Sequence, residues 1–166
     1  MHYEPVAGPA VWRGRDVADW AREFSAAEIA EIEAAIDGYR GDPAALSPQN
    51  FPLPTLGPVL RGLLRELLDG RGFVLLRGLP VARWSRAQQA LAYLGIGAWM
   101  GRFRSQNAKG HLLGHVKDLG LDIRDPNVRY YQTSRKLEYH TDSVDIVGLL
   151  CLQPAKAGGE SYLASS

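Results

Sequence analysis

The stretch from Leu137 to Ser166 reads LEYHTDSVDIVGLLCLQPAKAGGESYLASS, and the fold reading turns on it. His140 and Asp142 are two residues apart, so on an extended backbone their side chains leave on one face while Thr141 points away. An imidazole and a carboxylate converging on one point suit a divalent iron, manganese or zinc ion. They are two of the three ligands of a facial triad that leaves open positions for substrate and oxygen. An apolar run, Ile146 to Leu152, follows at once and suits a buried strand. Gly158-Gly159-Glu160-Ser161 then forms a tight turn ending in a hydroxyl able to bind an anionic oxygen beside a metal site.

Upstream of this stretch, Leu112 to Lys117 and Val128 to Thr133 read as two further strands, separated by Gly, Asp and Pro punctuation. Before Gly101 the periodicity is helical. Ser25 and Glu28 form a capping box, and Ile29, Ile32, Ala35 and Ile36 continue a helix to about Tyr39. Five prolines between Pro43 and Pro58 make an extended connection, with Thr55 as N-cap of the next helix. Val59, Leu60, Leu63, Leu64, Leu67 and Leu68 are the apolar stripe of that helix, which Gly70 stops. Gly72 to Gly78 is a short apolar run that suits a buried strand, and Ser85 opens a third helix fading at Gly95 and Gly97. The first 24 residues read as an irregular arm. Helices followed by strands give an α+β architecture, with helices bracing a largely antiparallel sheet.

Five segments in order carry a resemblance: GFVLLRGLP at Gly72 to Pro80, YLGIGAWMG at Tyr93 to Gly101, SQNAKGHLLGHVKDLG at Ser105 to Gly120, YYQTSRKLEYHTDSVD at Tyr130 to Asp145, and GGESYLASS at Gly158 to Ser166. Together, and through the spacing of HTD and GGES, the sequence resembles the TauD/TfdA family of Fe(II)- and 2-oxoglutarate-dependent dioxygenases. The resemblance implies the first part of a double-stranded β-helix, the jelly roll of the clavaminate synthase-like proteins, over residues 72–166. Residues 1–71 would be an arm and helices packed on that barrel. It implies Fe(II) as metal, 2-oxoglutarate and dioxygen as co-substrates, and a small organic molecule as the substrate to be hydroxylated. It makes His140 and Asp142 iron ligands, and puts Ser161 where the family has a Thr or Ser contacting the 2-oxoglutarate carboxylate.

The family completes its triad with a distal histidine, followed by an arginine for the far carboxylate of 2-oxoglutarate. Here no histidine follows His140 and no arginine follows Arg135. The expectation is an N-terminal portion beginning at Met1, with a jelly roll incomplete at its C-terminus and inactive alone. His111 and His115 are expected to be surface or hydrogen-bonded histidines, as is His2 in the arm. Gln106, Asn107 and Tyr130 either line the mouth of the pocket or bond within their loops, and Asp145 either orients the site or caps a turn. Two other readings stay open. One is a non-catalytic binding or assembly module, a homo-oligomer with its strand edges covered; the other is a different metal enzyme with water as third ligand.

Length and composition agree with a globular protein. The chain has 166 residues, 46% apolar and 22% charged, with net charge +1, enough for one core. One cysteine, Cys151, forms no internal disulfide and reads as a small core residue of its strand. The four tryptophans read as packing residues. Neither a signal peptide nor a long apolar span is legible, so a cytoplasmic protein without membrane contact is expected. Asp16 to Asp42 holds eight acids against two arginines, and Arg61 to Lys109 holds nine bases against Glu66 and Asp69. Because those bases are dispersed among apolar residues, they read as solvated faces and no nucleic-acid partner is expected.

Overall fold

The computed structural model describes Glu4, Pro5 and residues 7–165. The described residues within Met1–Phe103 and Asp145–Ser166 form one compact unit, and Arg104–Val144 a second.

The first unit is built on three helices, α1 (Ala26–Gly38), α2 (Leu56–Asp69) and α3 (Arg86–Ala98), and two strands, β1 (Ala21–Glu23) and β2 (Leu75–Arg77). α1 begins as its sequence requires. The Ser25 hydroxyl accepts the Glu28 N–H while the Glu28 carboxylate accepts the Ser25 N–H, so two otherwise orphaned donors are satisfied reciprocally. Ser85 and Gln88 repeat the device at α3. At α2 the expected cap differs. Thr55 occupies the N-cap position but its side chain makes no capping bond; Glu31 of α1 accepts the Thr55 and Leu56 N–H groups at 2.7 and 2.8 Å. A carboxylate from a neighbouring helix thus meets the positive end of α2 and ties the two helices together.

Phe51, Leu53, Leu56, Leu60 and Ile32 are fully buried, joined by Ile36, Leu46, Trp84, Ala92, Leu94 and Ile96. Leu46, Phe51 and Leu53 come from the proline-rich connection, which is therefore part of the core and not merely a spacer. α3 does not fade at its glycines but runs through to Ala98. Gly95 is where the Phe51 ring lies: a Cβ there would stand 2.3 Å from Phe51 Cε1. Trp99 packs on Gly57 equally closely and donates its indole N–H to the Phe51 carbonyl at 3.0 Å. The stripe on α2 is buried at Leu60 and only half-buried at Leu63, Leu64 and Leu67, while Leu68 is exposed.

The arm is more ordered than expected. β1 pairs in parallel with β2, Arg22 facing Leu76. Trp12 donates its indole N–H to the Arg71 carbonyl at 2.9 Å and packs 5.0 Å from the Phe73 ring. β2 is the expected strand, shortened and not buried, because with one partner strand only Leu76 of its three residues turns inward. Several bases of the basic stretch have partners at the surface, Arg83 with Glu33, Arg71 with Glu66, and Arg61 over the Trp99 ring, and Arg61 and Arg83 remain exposed.

The expected antiparallel sheet is not formed among the described residues, whose one sheet is the parallel β1–β2 pair. Leu112 to Lys117 and Val128 to Thr133 approach each other through Lys117 N–H to the Tyr131 carbonyl and Leu119 N–H to the Gln132 carbonyl. A 3-10 turn at Tyr130–Gln132 breaks the two-residue alternation a ladder needs. Ile146 to Leu152 lies without a pairing strand, Val147 and Leu149 are exposed, and Cys151 is exposed where a core position was expected. Apolar side chains alone do not make a strand, since the backbone N–H and C=O groups need a neighbour to bond. The double-stranded β-helix is therefore an expectation from resemblance, while the observed fold is three helices with a two-stranded parallel sheet.

Candidate functional site

His140 and Asp142 both belong to the Arg104–Val144 unit, in a segment without regular secondary structure, and both are exposed. No strand forms there, so strand alternation does not set their directions. One contact does define the chemistry of the histidine: Nδ1 lies 2.8 Å from the Glu138 carbonyl oxygen. A carbonyl only accepts, so in the neutral ring the proton sits on Nδ1, and Nε2 carries a free lone pair. A backbone carbonyl holding Nδ1–H while Nε2 faces outward is the usual arrangement behind a metal-ligating histidine.

His111 is held the opposite way. The Asn107 side-chain oxygen accepts the backbone N–H groups of Lys109 and His111, at 3.0 and 3.3 Å, which orients the amide. Its NH₂ then donates to His111 Nδ1 at 3.0 Å, leaving the proton of the neutral ring on Nε2. His111 is thus a loop-bonding histidine, as expected, and His115 is exposed. Gln106 donates its backbone N–H to the His111 carbonyl and its side-chain amide to the Arg104 carbonyl, so it too bonds within this loop.

Ser161 belongs to the first unit and is exposed. Before it Gly158 and Gly159 stand at φ +71° and +77°, a left-handed pair that side chains with a Cβ rarely adopt, but no hydrogen-bonded turn closes over Gly158 to Ser161. In the same unit Tyr93 of α3 packs against the Ile146 to Leu152 run: a Cβ at Gly148 would lie 2.6 Å from the Tyr93 hydroxyl. Burial pushes the Tyr93 phenol above its ordinary pKa. Sequence reasoning did not single out Tyr93, whose only signal was its place on the inner face of α3.

Among the described residues no three His, Cys, Asp or Glu side chains cluster in a way that could hold a metal ion. His140 and Asp142 supply one nitrogen and one oxygen donor, a set that fits two positions of an iron site and leaves the others to different ligands. No helix among the described residues is long and apolar enough to cross a membrane.

Comparison with known proteins identifies the family of the chain. The chain is 35% identical over 153 residues to the taurine hydroxylase-like protein SAT17 of Stachybotrys chartarum, covering 86% of this chain and 40% of that protein. It is 31% identical over 170 residues to FR-33289 synthase of Streptomyces rubellomurinus, covering 98% of this chain and 50% of that protein. The chain therefore spans about half the length, or less, of these relatives. Residues 35–166 match the family described as taurine catabolism dioxygenase TauD, TfdA family. With the HTD and GGES segments inside the matched range, the chain belongs to the TauD/TfdA family of dioxygenases.

Proposed function

We propose that the chain is the N-terminal portion of a non-haem Fe(II)- and 2-oxoglutarate-dependent dioxygenase that hydroxylates a small organic molecule in the cytoplasm. The observation that carries this reading is the His140 ring, protonated at Nδ1 by its bond to the Glu138 carbonyl and open at Nε2, in a chain of this family. His140 and Asp142 would hold the metal. When bound, Fe(II) supplies activation of dioxygen coupled to decarboxylation of 2-oxoglutarate to succinate and carbon dioxide. The protein's own contributions are of another kind. Glu138 fixes the histidine tautomer, Asp142 adds a negative donor that offsets metal charge, and the Ser161 hydroxyl offers a hydrogen bond to a carboxylate of the co-substrate. A third protein ligand and a guanidinium for the far carboxylate would come from polypeptide beyond these 166 residues.

The test uses the polypeptide encoded by the complete reading frame. Succinate release that depends on iron and 2-oxoglutarate is expected, abolished by His140→Ala and by Asp142→Ala. Ser161→Ala should mainly raise the apparent KM for 2-oxoglutarate. Wild-type rates in either ligand variant would overturn the assignment. The isolated 166-residue chain should bind iron weakly and show no turnover.

A second reading, as a binding or assembly module, is favoured by exposed apolar side chains such as Val116, Tyr139 and Leu149, which are 70%, 68% and 75% exposed. Concentration-dependent self-association of a chain without dioxygenase activity in the complete polypeptide would support it.

A further inference from the structure

The Arg104–Val144 unit contains an open-sided cavity of about 400 Å³, lined by Leu121, Asp122, Ile123, Arg124, Ser134 and Arg135 together with Asp118, Gly120 and Thr133. Seven of its nine lining residues, Ser134 and Arg135 among them, are exposed, so it is an open surface groove rather than an enclosed pocket. Three of its four charged groups are already engaged. Asp122 takes the Arg124 guanidinium through two nitrogens, at 2.8 Å from Nε and 2.5 Å from Nη2, which holds the Asp122 carboxyl below its ordinary pKa. Asp118 accepts the Gly120 backbone N–H at 2.8 Å. Arg135 differs: among the described residues no carboxylate lies within 4.0 Å of it and its guanidinium makes no hydrogen bond. Its positive charge makes a small contribution to keeping the Asp122 carboxyl low, after the Arg124 bonds.

The backbone holds Arg135 in place. The Thr133 hydroxyl donates to the Tyr130 carbonyl at 2.9 Å and accepts the Arg135 N–H at 3.3 Å, fixing the turn from which the guanidinium leaves. Next to it, the Ser134 hydroxyl and backbone N–H donate to no other described residue. A planar fork of donors and an adjacent hydroxyl, with Leu121 and Ile123 elsewhere on the lining, match an oxyanion carried on a short apolar chain.

We propose that this cavity is an anion site in which Arg135 and Ser134 bind the oxyanion of a small molecule, with Leu121 and Ile123 against its carbon chain. Asp118 and Asp122 lie on the same lining, so the anion sits at the Arg135 end. The Asp122–Arg124 pair is the neutral part of the wall. This proposal does not rest on the dioxygenase reading, since it concerns binding without metal or turnover.

The test is titration of the 166-residue chain with butyrate and, separately, with inorganic phosphate, followed by amide chemical shifts of residues 118–124 and 133–135. Saturable binding in the millimolar range is expected, weakening as ionic strength rises. Arg135→Ala should weaken it about tenfold, the scale of one charge-assisted hydrogen bond, whereas Arg135→Lys should retain part of it. Tighter butyrate than phosphate assigns the site to an organic acid, and equal affinities assign it to any free oxyanion. Circular dichroism of Arg135→Ala checks that the chain is folded. The proposal is overturned if neither anion saturates these shifts, or if a folded Arg135→Ala binds as the wild type does.

Discussion

Gly95 offers a direct measurement of how tightly the helical core is closed. In Gly95→Ala the new Cβ would lie 2.3, 2.5 and 2.6 Å from three carbons of the Phe51 ring. Ordinary carbon contacts start near ~3.5 Å, so the ring must retreat by about 1 Å. Phe51 is 0% exposed, so its ring can move only by displacing its neighbours in the core. Overpacking of this kind costs ~1–3 kcal/mol. Alanine in place of glycine inside a helix returns ~0.8–1 kcal/mol, so the net loss is about 0–2 kcal/mol and the Tm falls by up to roughly 8 °C. Gly62, inside α2, is the control, since nothing lies within 4 Å of a Cβ built there. Gly62→Ala should gain ~0.8–1 kcal/mol and raise the Tm by roughly 2–4 °C. Both substitutions carry the same change in helix propensity, so the difference between the two melting temperatures reads the Phe51 contact. Scanning calorimetry or thermal circular dichroism of the three proteins measures it. Equal shifts in the two variants, or a Gly95→Ala protein melting above wild type, would refute the packing argument.

Two further predictions concern the helix starts. Glu31→Gln replaces one of two carboxylate oxygens that accept the Thr55 and Leu56 N–H groups with a donor; a loss of ~1–2 kcal/mol is expected, with faster amide exchange at those two positions, and unchanged exchange would remove Glu31 from the cap. The buried Glu28 carboxyl is pushed upward by burial, but bonds from Arg22 and from the Ser25 backbone and hydroxyl, with the Arg22 charge, outweigh this and hold it below its ordinary value of 4.5. A depressed folded-state pKa gives stability that is present above the unfolded-state value and lost as pH falls through the folded one. Urea unfolding should therefore show Glu28→Gln less stable than wild type at pH 7, with the gap closing in acid; a gap independent of pH would contradict it.

The helical half was legible because its signals are local. Ser25 with Glu28 places a cap and its partner within one turn, Ser85 marks the start of α3, and the apolar spacing that follows needs no distant residue to be interpreted. What the reading missed there depends on remote contacts. Thr55 looks like a cap, but Glu31, 24 residues earlier, takes its place. Gly95 looks like a helix end, yet it is retained inside α3 because Phe51 occupies the space of its absent side chain. β1 was hidden in the arm because three residues become a strand only when Leu75–Arg77 lies alongside.

By itself the sequence determined the three helices, the Ser25–Glu28 capping box and the family, for each rests on residues near one another in the chain or on an ordered set of motifs. Only the tertiary structure decided which apolar residues are core, since Phe51 and Leu53 are buried and Leu68 and Cys151 are not. It also decided the proton position on His140, which depends on a 2.8 Å contact to a carbonyl. The strands of the second half show the same division: their apolar patterning is written in the residues, but a strand exists only when another backbone satisfies its hydrogen bonds.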